Sequence, residues 1–146
     1  MSNSQTVQGI YEAFGRGDVP AILDRLSHDV AWDAWPDQTS GQRAGIAWLA
    51  ERRGRDQVGA FFESLGALEF HEFAPTALIA DGNHVVALIS VDVTVRDTDR
   101  RFRDDEIHLW QFGDDGRVTR FRHYVDTGKH VEAVAGTAPT ASVAVS

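Results

Sequence analysis

Residues 84–125 read HVVALISVDVTVRDTDRRFRDDEIHLWQFGDDGRVTRFRHYV, and the fold can be read most directly from them. Apolar and polar side chains alternate along this stretch, which is typical of strands that bury one face. Turns rich in Asp, Thr and Gly interrupt the alternation. The strands predicted between them are His84–Arg96, Arg103–Phe112 and Arg117–Val125. Because short turns join strands that run in opposite directions, we expect an antiparallel meander.

The chain before residue 84 adds helices and shorter strands. Apolar residues at helical spacing predict one helix around Ile10, a second from Asp18 to His28-Asp29, and a third from Arg55. The shorter strands are predicted at 30–32, Leu68–Phe73 and Thr76–Ala80. Asp126 is expected to cap a last short helix that ends at about Val134. The charged run Arg96–Asp105 is predicted to be the solvated tip of a hairpin.

Helices followed by antiparallel strands predict an α+β fold, in which the N-terminal helices cover one face of a curved sheet. Such a sheet leaves a concave space for a pocket that is mostly apolar with a few convergent polar groups. The length of 146 residues fits one domain. We predict a single domain over 1–135 and a disordered tail over 136–146.

Composition excludes several classes of function. With 22 acidic against 14 basic residues the formal charge is −8, which disfavours nucleic acid as a partner. There is no cysteine, so disulfides and thiolate metal sites are excluded, and a cytoplasmic location is expected. No apolar run is long enough to span a membrane.

Two segments resemble a known family. Ile10–Asp18 with Ile22–Val30 resembles the opening of the ketosteroid isomerase and SnoaL-like superfamily, and Trp110–Val118 with Arg122–Asp126 resembles its closing hairpin. The resemblance implies a cone-shaped α+β barrel with the fold of nuclear transport factor 2, usually dimeric. Its members include isomerases, polyketide cyclases, dehydratases, limonene-type epoxide hydrolases and non-catalytic binding proteins.

The resemblance also implies site residues. The catalytic positions of ketosteroid isomerase fall on Ile10, Ala34 and His108, so that constellation is not preserved. His123 resembles the position of the acid/base aspartate in SnoaL-like cyclases and epoxide hydrolases. Asp92 resembles a second aspartate of the epoxide hydrolases.

Alternation along the last two strands places the histidines on faces that can converge. Glu106, His108, Trp110 and Phe112 share one face, and Phe121, His123 and Val125 share another. Histidine suits acid/base work because its ordinary pKa of about 6.5 lies near neutral pH. The alternative is that both histidines only make hydrogen bonds in a polar cleft.

Two aspartates are candidates to assist His123. The residues at odd positions from Val85 to Val95 are all apolar, and this pattern turns Asp92 to solvent or to a partner protomer. The resemblance turns Asp92 toward His123 instead, in which case the odd face would lie in a sheet-to-sheet dimer interface. Asp33, at the end of the first strand, is the other candidate carboxylate.

Aromatic and apolar side chains are expected to contact the substrate. The predicted substrate-binding residues are Trp32, Trp35, Trp48, Phe62, Trp110, Phe112, Phe121, Val125 and Tyr11. Trp48 belongs to the segment Gly41–Arg53, which is predicted to form a lid. No histidine pair has metal-binding spacing on a helix and no phosphate-binding loop is present, so no metal and no cofactor are predicted.

The leading hypothesis is a cofactor-free isomerase, cyclase or dehydratase that acts on a small apolar oxygenated molecule. His123 would move a proton with help from Asp92 or Asp33, and His108 would donate a hydrogen bond to a developing oxyanion. The alternatives are a non-catalytic small-molecule-binding or dimerisation module and a limonene-type epoxide hydrolase. A homodimer through the sheet is the expected assembly.

Overall fold

The computed structural model describes residues 1–136, in which one sheet is packed against helices. The helices are α1 (Asn3–Arg16), α2 (Val19–Leu23), α3 (Ser40–Arg43), α4 (Gly54–Ser64) and α5 (Thr127–Ala135). The strands are β1 (Leu26–Trp32), β2 (Arg52–Arg53), β3 (Leu68–Asp81), β4 (His84–Val95), β5 (Arg100–Phe112) and β6 (Val118–Tyr124). Of the tail predicted over 136–146, only Gly136 lies within the described residues.

The six strands form a curved, unclosed sheet in the order β2-β1-β6-β5-β4-β3. Strands β3 to β6 form the predicted antiparallel meander, and the α+β class is confirmed. Strand β1 pairs with β6 in parallel, which no turn in the sequence could indicate. Strand β3 is continuous where two strands, Leu68–Phe73 and Thr76–Ala80, were predicted. Register shifts after Phe70 and Pro75 let it stay paired with β4 across the gap between them.

Helix α1, predicted around Ile10, is capped at both ends. The Ser2 hydroxyl accepts the Gln5 N–H, the Gln5 side chain accepts the Ser2 N–H, and Gly17 ends the helix at φ 72°. The prediction of a helix through His28-Asp29 is wrong, because α2 ends at Leu23. Leu26 fits the helical spacing but already belongs to β1, where it lies opposite a residue of β6.

The apolar odd positions of β4 belong to the core of this chain and not to a dimer interface. Ala87, Ile89, Val91 and Val93 are buried, and Tyr11 of α1 packs against them. The expectation that this face lies between protomers is therefore corrected: the helix layer of the same chain covers it.

Asp92 consequently lies on the opposite, outer face of the sheet, which corrects the expectation that it turns toward His123. Its carboxylate accepts hydrogen bonds from Arg101 at 2.9 and 3.0 Å and from Arg103 at 3.0 Å. Both arginines lie on the adjacent strand β5, opposite β4 residues 92–94. Side chains alternate across a strand, so a residue between buried Val91 and Val93 faces away from them.

The segment Gly41–Arg53 is folded onto the body of the protein. It contains α3, a 3-10 turn over Ala47–Leu49 and strand β2, and Trp48 is buried. Gly41 packs so closely against Leu49 that a Cβ at this position would force the Leu49 side chain to move. Within residues 1–136, no helix is long and apolar enough to cross a membrane.

Candidate active site

An apolar cavity lies between the helices and the inner face of the sheet. Its volume is about 70 Å³, several times the roughly 10–15 Å³ that one water molecule requires. Of the residues predicted to form the site, those that line this cavity are Tyr11, Trp32, Trp48, Phe62, His108, Trp110, Phe121 and His123. Phe112 is buried in the core and is not among the lining residues, while Trp35, Val125 and Asp33 lie at a second cavity.

His123 is bound to Asp33 through two hydrogen bonds. Its Nδ1 lies 2.9 Å from one carboxylate oxygen, and its backbone N–H donates to the other at 2.8 Å. Asp33 is 2% exposed and directly follows β1 in a left-handed conformation, with φ 53°. A non-glycine residue at such a φ is strained, and the bond from its own N–H to the Phe121 carbonyl at 2.8 Å helps to hold it.

The Asp33 carboxylate fixes both the orientation and the charge of the His123 ring. Burial by itself lowers the pKa of His123, but the charge and hydrogen bond of Asp33 outweigh it and raise the pKa to about 9. His123 is therefore an imidazolium at neutral pH. Its Nε2 receives no hydrogen bond partner from the described residues, so the Nε2–H is free for a molecule in the cavity.

His108 is the opposite case, a neutral imidazole. Its Nδ1 lies 2.7 Å from the Tyr11 hydroxyl, and the Trp110 indole N–H donates to that hydroxyl oxygen at 3.0 Å. Burial raises the pKa of Tyr11, so Tyr11 keeps its proton and donates it to Nδ1. Burial also lowers the pKa of His108. The ring therefore carries its single proton on Nε2.

The two histidines are cross-strand neighbours whose ring centroids are 5.7 Å apart. Both line the same cavity, as the acid/base hypothesis requires. Burial lowers the pKa of both rings. Asp33, at 2.9 Å, outweighs burial at His123, whereas Glu106, at 3.6 Å, does not outweigh it at His108, so the two pKa values move in opposite directions. Such divergent pairs are how proteins separate acid and base roles.

Glu106 is a functional candidate that the sequence prediction did not include. It is 8% exposed, lies two residues before His108 on β5, and lines the cavity. Its carboxylate oxygens are 3.6 Å from His108 Nε2 and 3.5 Å from His130 Nε2. Burial by itself raises the pKa of Glu106, but the two imidazoles outweigh it, and the pKa lies below its ordinary value. The alternation that selected His108 placed Glu106 on the same face and could have found it.

Behind Glu106 lies a buried group that resembles a metal site in composition. Asp104, Glu106 and His130 each place a ligand atom within 4.8 Å of the others, the one such group in residues 1–136. Trp48 donates its indole N–H to His130 Nδ1 at 3.1 Å, so the proton of the neutral ring lies on Nε2 and faces Asp104 at 2.9 Å. A metal ion binds a nitrogen lone pair, and Nε2 has none in this tautomer. The arrangement fits a hydrogen-bonded cluster, and the lack of a metal stays a prediction.

The model of the SnoaL-like domain matches residues 7–121. The chain belongs to the SnoaL-like domain family. An NTF2-like protein of unknown function from Burkholderia pseudomallei is 31% identical over 92% of this chain and 98% of its own, with a TM-score of 0.77.

Two more distant structures share the fold of this SnoaL-like chain. An NTF2-like protein from Burkholderia thailandensis is 23% identical, with the same coverage of both chains and a TM-score of 0.77. TerC, whose crystals contained polyporic acid, is 22% identical over 91% of this chain and 98% of its own, with a TM-score of 0.73. None of the curated proteins matches this chain.

The SnoaL-like site has a second cavity on the far side of the His123–Asp33 pair. It has a volume of about 140 Å³, and Asp33, Trp35, Tyr124 and Val125 are among its lining residues. The Trp35 ring packs edge-on against Tyr124, with a ring-centroid distance of 5.1 Å. The pair therefore separates an apolar cavity from a more polar one.

Proposed function

We propose that this SnoaL-like protein is a cofactor-free acid/base enzyme of the isomerase, cyclase or dehydratase type, acting on a small apolar oxygenated molecule. The observation that carries the proposal is the His123–Asp33 pair, which presents a charged Nε2–H to an apolar cavity. A charged donor in a site that excludes water stabilises negative charge developing on a substrate oxygen far better than the same donor in water.

The proton cycle follows from the contacts of His123. Its Nε2 proton passes to the substrate oxygen, and the ring becomes neutral while Nδ1–H remains bound to Asp33. The free Nε2 lone pair then accepts the proton that the substrate releases from carbon. His108 acts as a donor through Nε2–H and not as a base, because the Tyr11 hydroxyl occupies Nδ1.

Deuterium exchange into enolisable ketones tests this proposal without knowledge of the natural substrate. We expect the wild type to speed exchange at the α-carbon of a small apolar ketone such as 2-tetralone in D2O, followed by NMR. His123→Gln should lose roughly 100-fold or more of that rate, the usual contribution of a general acid/base. His84→Gln removes an exposed histidine from the same sheet and should leave the rate unchanged.

Two results would contradict the enzyme proposal. One is that no ketone in a panel of small apolar ketones exchanges faster with the wild type than in buffer. The other is that His123→Gln matches the wild type. Saturable binding of these ketones without exchange would identify a small-molecule-binding module instead. Epoxide hydrolysis is not favoured, because Asp92 lies on the other face of the sheet.

We propose that the homodimer expected from the sequence forms through the outer face of the sheet, the face opposite the helices. This face exposes apolar side chains of three strands: Ile79 is 56%, Ile107 43% and Tyr124 40% exposed. A second copy of the chain would cover them.

A further inference from the structure

The Glu106 carboxylate is a buried acceptor whose contacts leave part of its capacity unused. It is 8% exposed and lines the cavity, and each of its two oxygens has one long contact, at 3.6 Å with His108 Nε2 and at 3.5 Å with His130 Nε2. Buried polar groups are nearly always hydrogen-bonded, and an ionised carboxylate has about four lone-pair positions to fill. The unfilled positions are open to whatever occupies the cavity.

The two neighbouring imidazoles leave those positions open. His130 directs its Nε2–H at Asp104, 2.9 Å away, so its 3.5 Å contact with Glu106 is the longer of the two. His108 Nε2 is 3.6 Å from Glu106, longer than an ordinary hydrogen bond. Both rings are bound through their other nitrogen, by Trp48 and Tyr11.

The position of Glu106 relative to His123 limits the size of a ligand that can contact both side chains. His108 lies directly opposite His123, and Glu106 is two residues from His108 on the same face, so Glu106 and His123 are diagonal neighbours across β5 and β6. Diagonal neighbours are roughly 7–8 Å apart, and their Cβ atoms are somewhat closer. A molecule with two oxygens separated by a few bonds can reach both side chains at once.

We propose that Glu106 accepts a hydrogen bond from a substrate hydroxyl while His123 Nε2–H binds the substrate carbonyl, so that the cavity takes α- or β-hydroxy carbonyl compounds. This inference rests on the proposed use of the cavity for an oxygenated substrate and names the class of that substrate. The rest of the molecule would lie against Tyr11, Trp32 and Phe62.

A matched pair of ketones tests the hydroxyl contact. α-Hydroxyacetophenone and acetophenone differ by one hydroxyl group, and their affinities can be measured by NMR titration. We expect the wild type to bind the hydroxy ketone roughly tenfold more tightly or better, because a hydrogen bond to a charged group is among the stronger ones. Glu106→Gln should lose most of that preference, since the amide is an uncharged and weaker acceptor.

The control is the same chemical change on the other face of the sheet. Asp92→Asn replaces a buried carboxylate that faces Arg101 and Arg103, and it should keep the wild-type preference. The ratio of the two affinities is measured within each folded variant, so a loss of stability alone does not imitate the effect. If Glu106→Gln does not fold, the carbon-13 shift of the Glu106 carboxyl in the wild type should move with the hydroxy ketone and not with acetophenone.

Equal affinity of the wild type for the two ketones, or binding of neither, overturns the assignment. A preference that survives in Glu106→Gln does the same, as does a Glu106 carboxyl resonance that ignores the hydroxy ketone. The result is separable from the proposed function. If the hydroxy ketone is preferred in a Glu106-dependent way but no ketone exchanges deuterium, the enzyme proposal is refuted and the hydroxyl subsite is kept. If ketones exchange deuterium but the hydroxy ketone is not preferred, the hydroxyl subsite is refuted and the enzyme proposal is kept.

Discussion

Among the neighbours that keep His123 charged, Asp33 has the largest effect and is the carboxylate bonded to the ring, which makes the pair testable one residue at a time. Asp33→Asn keeps the shape of the contact but removes the carboxylate charge that opposes burial. We expect the pKa of His123 to fall well below about 9, because burial is then opposed only by the more distant charges of Glu106 and Asp104. An NMR titration of the His123 ring protons measures the change.

A His123 pKa that stays near 9 in Asp33→Asn would show that another charge holds the proton.

The raised pKa of His123 also predicts how stability depends on pH. The folded state holds this proton more tightly than the unfolded state, so its contribution is fully present below about pH 6.5 and is lost as the pH rises through about 9. The shift corresponds to a loss on the order of 3 kcal/mol in the free energy of unfolding. Urea unfolding of the wild type across this window should show the decline.

His123→Gln isolates this effect from the other buried groups. His108, whose pKa is lowered, acts with the opposite sign and below about pH 6.5. Burial by itself lowers the pKa of His130, but Asp104 and Glu106 raise it, so His130 acts with the same sign as His123. It is present in both proteins, and the difference between their slopes therefore reports His123. Identical slopes for the wild type and His123→Gln between neutral pH and about pH 9 would contradict the assignment.

Individual residues show where the sequence was informative. Alternation along β5 and β6 was enough to place His108 and His123 on converging faces. It could not choose between Asp33 and Asp92, because Asp33 meets His123 only through the parallel pairing of β1 with β6. Asp104 lies in the run predicted as a solvated hairpin tip, yet it is 3% exposed because His130 of α5 folds back onto it.

At the scale of elements, Trp48 connects the segment Gly41–Arg53 to the last helix. Trp48→Phe removes the N–H that donates to His130 Nδ1 and leaves a buried acceptor unpaired. We expect the free energy of unfolding to fall by about 1–3 kcal/mol. Thermal or urea unfolding measures the loss.

Trp35→Phe is the matched control, because the described residues give its indole N–H no hydrogen bond and Trp35 is only half-buried. Equal stability losses in the two variants would show that ring packing, and not the hydrogen bond, is what Trp48 contributes.

The elements themselves were predictable where the pattern was local. Apolar spacing identified α1, the Asp126 cap identified α5, and the short turns identified the antiparallel meander. The end of α2 was not predictable in this way, since Ile22, Leu23 and Leu26 keep helical spacing across the boundary. Pairing with a strand distant in sequence overrides that spacing at Leu26.

At the scale of the whole molecule, the outer face of the sheet predicts self-association. We expect the wild type to sediment as a dimer and Ile107→Glu to sediment as a monomer, because a buried unpaired charge at the centre of the interface is costly. Gln8→Glu adds a charge on the exposed side of α1 and should remain dimeric. A monomeric wild type, or a dimer that persists in Ile107→Glu, would contradict the prediction.

The two cavities have a consequence for how long the substrate can stay enclosed. His123 borders both of them, so a molecule in the apolar cavity meets one edge of the ring while Asp33 and the more polar cavity lie at the other edge. In the proposed cycle the substrate itself returns a proton to Nε2, and Nδ1–H never leaves Asp33. The ring therefore ends each turnover charged, and the reaction needs no proton from solvent while the apolar cavity is filled.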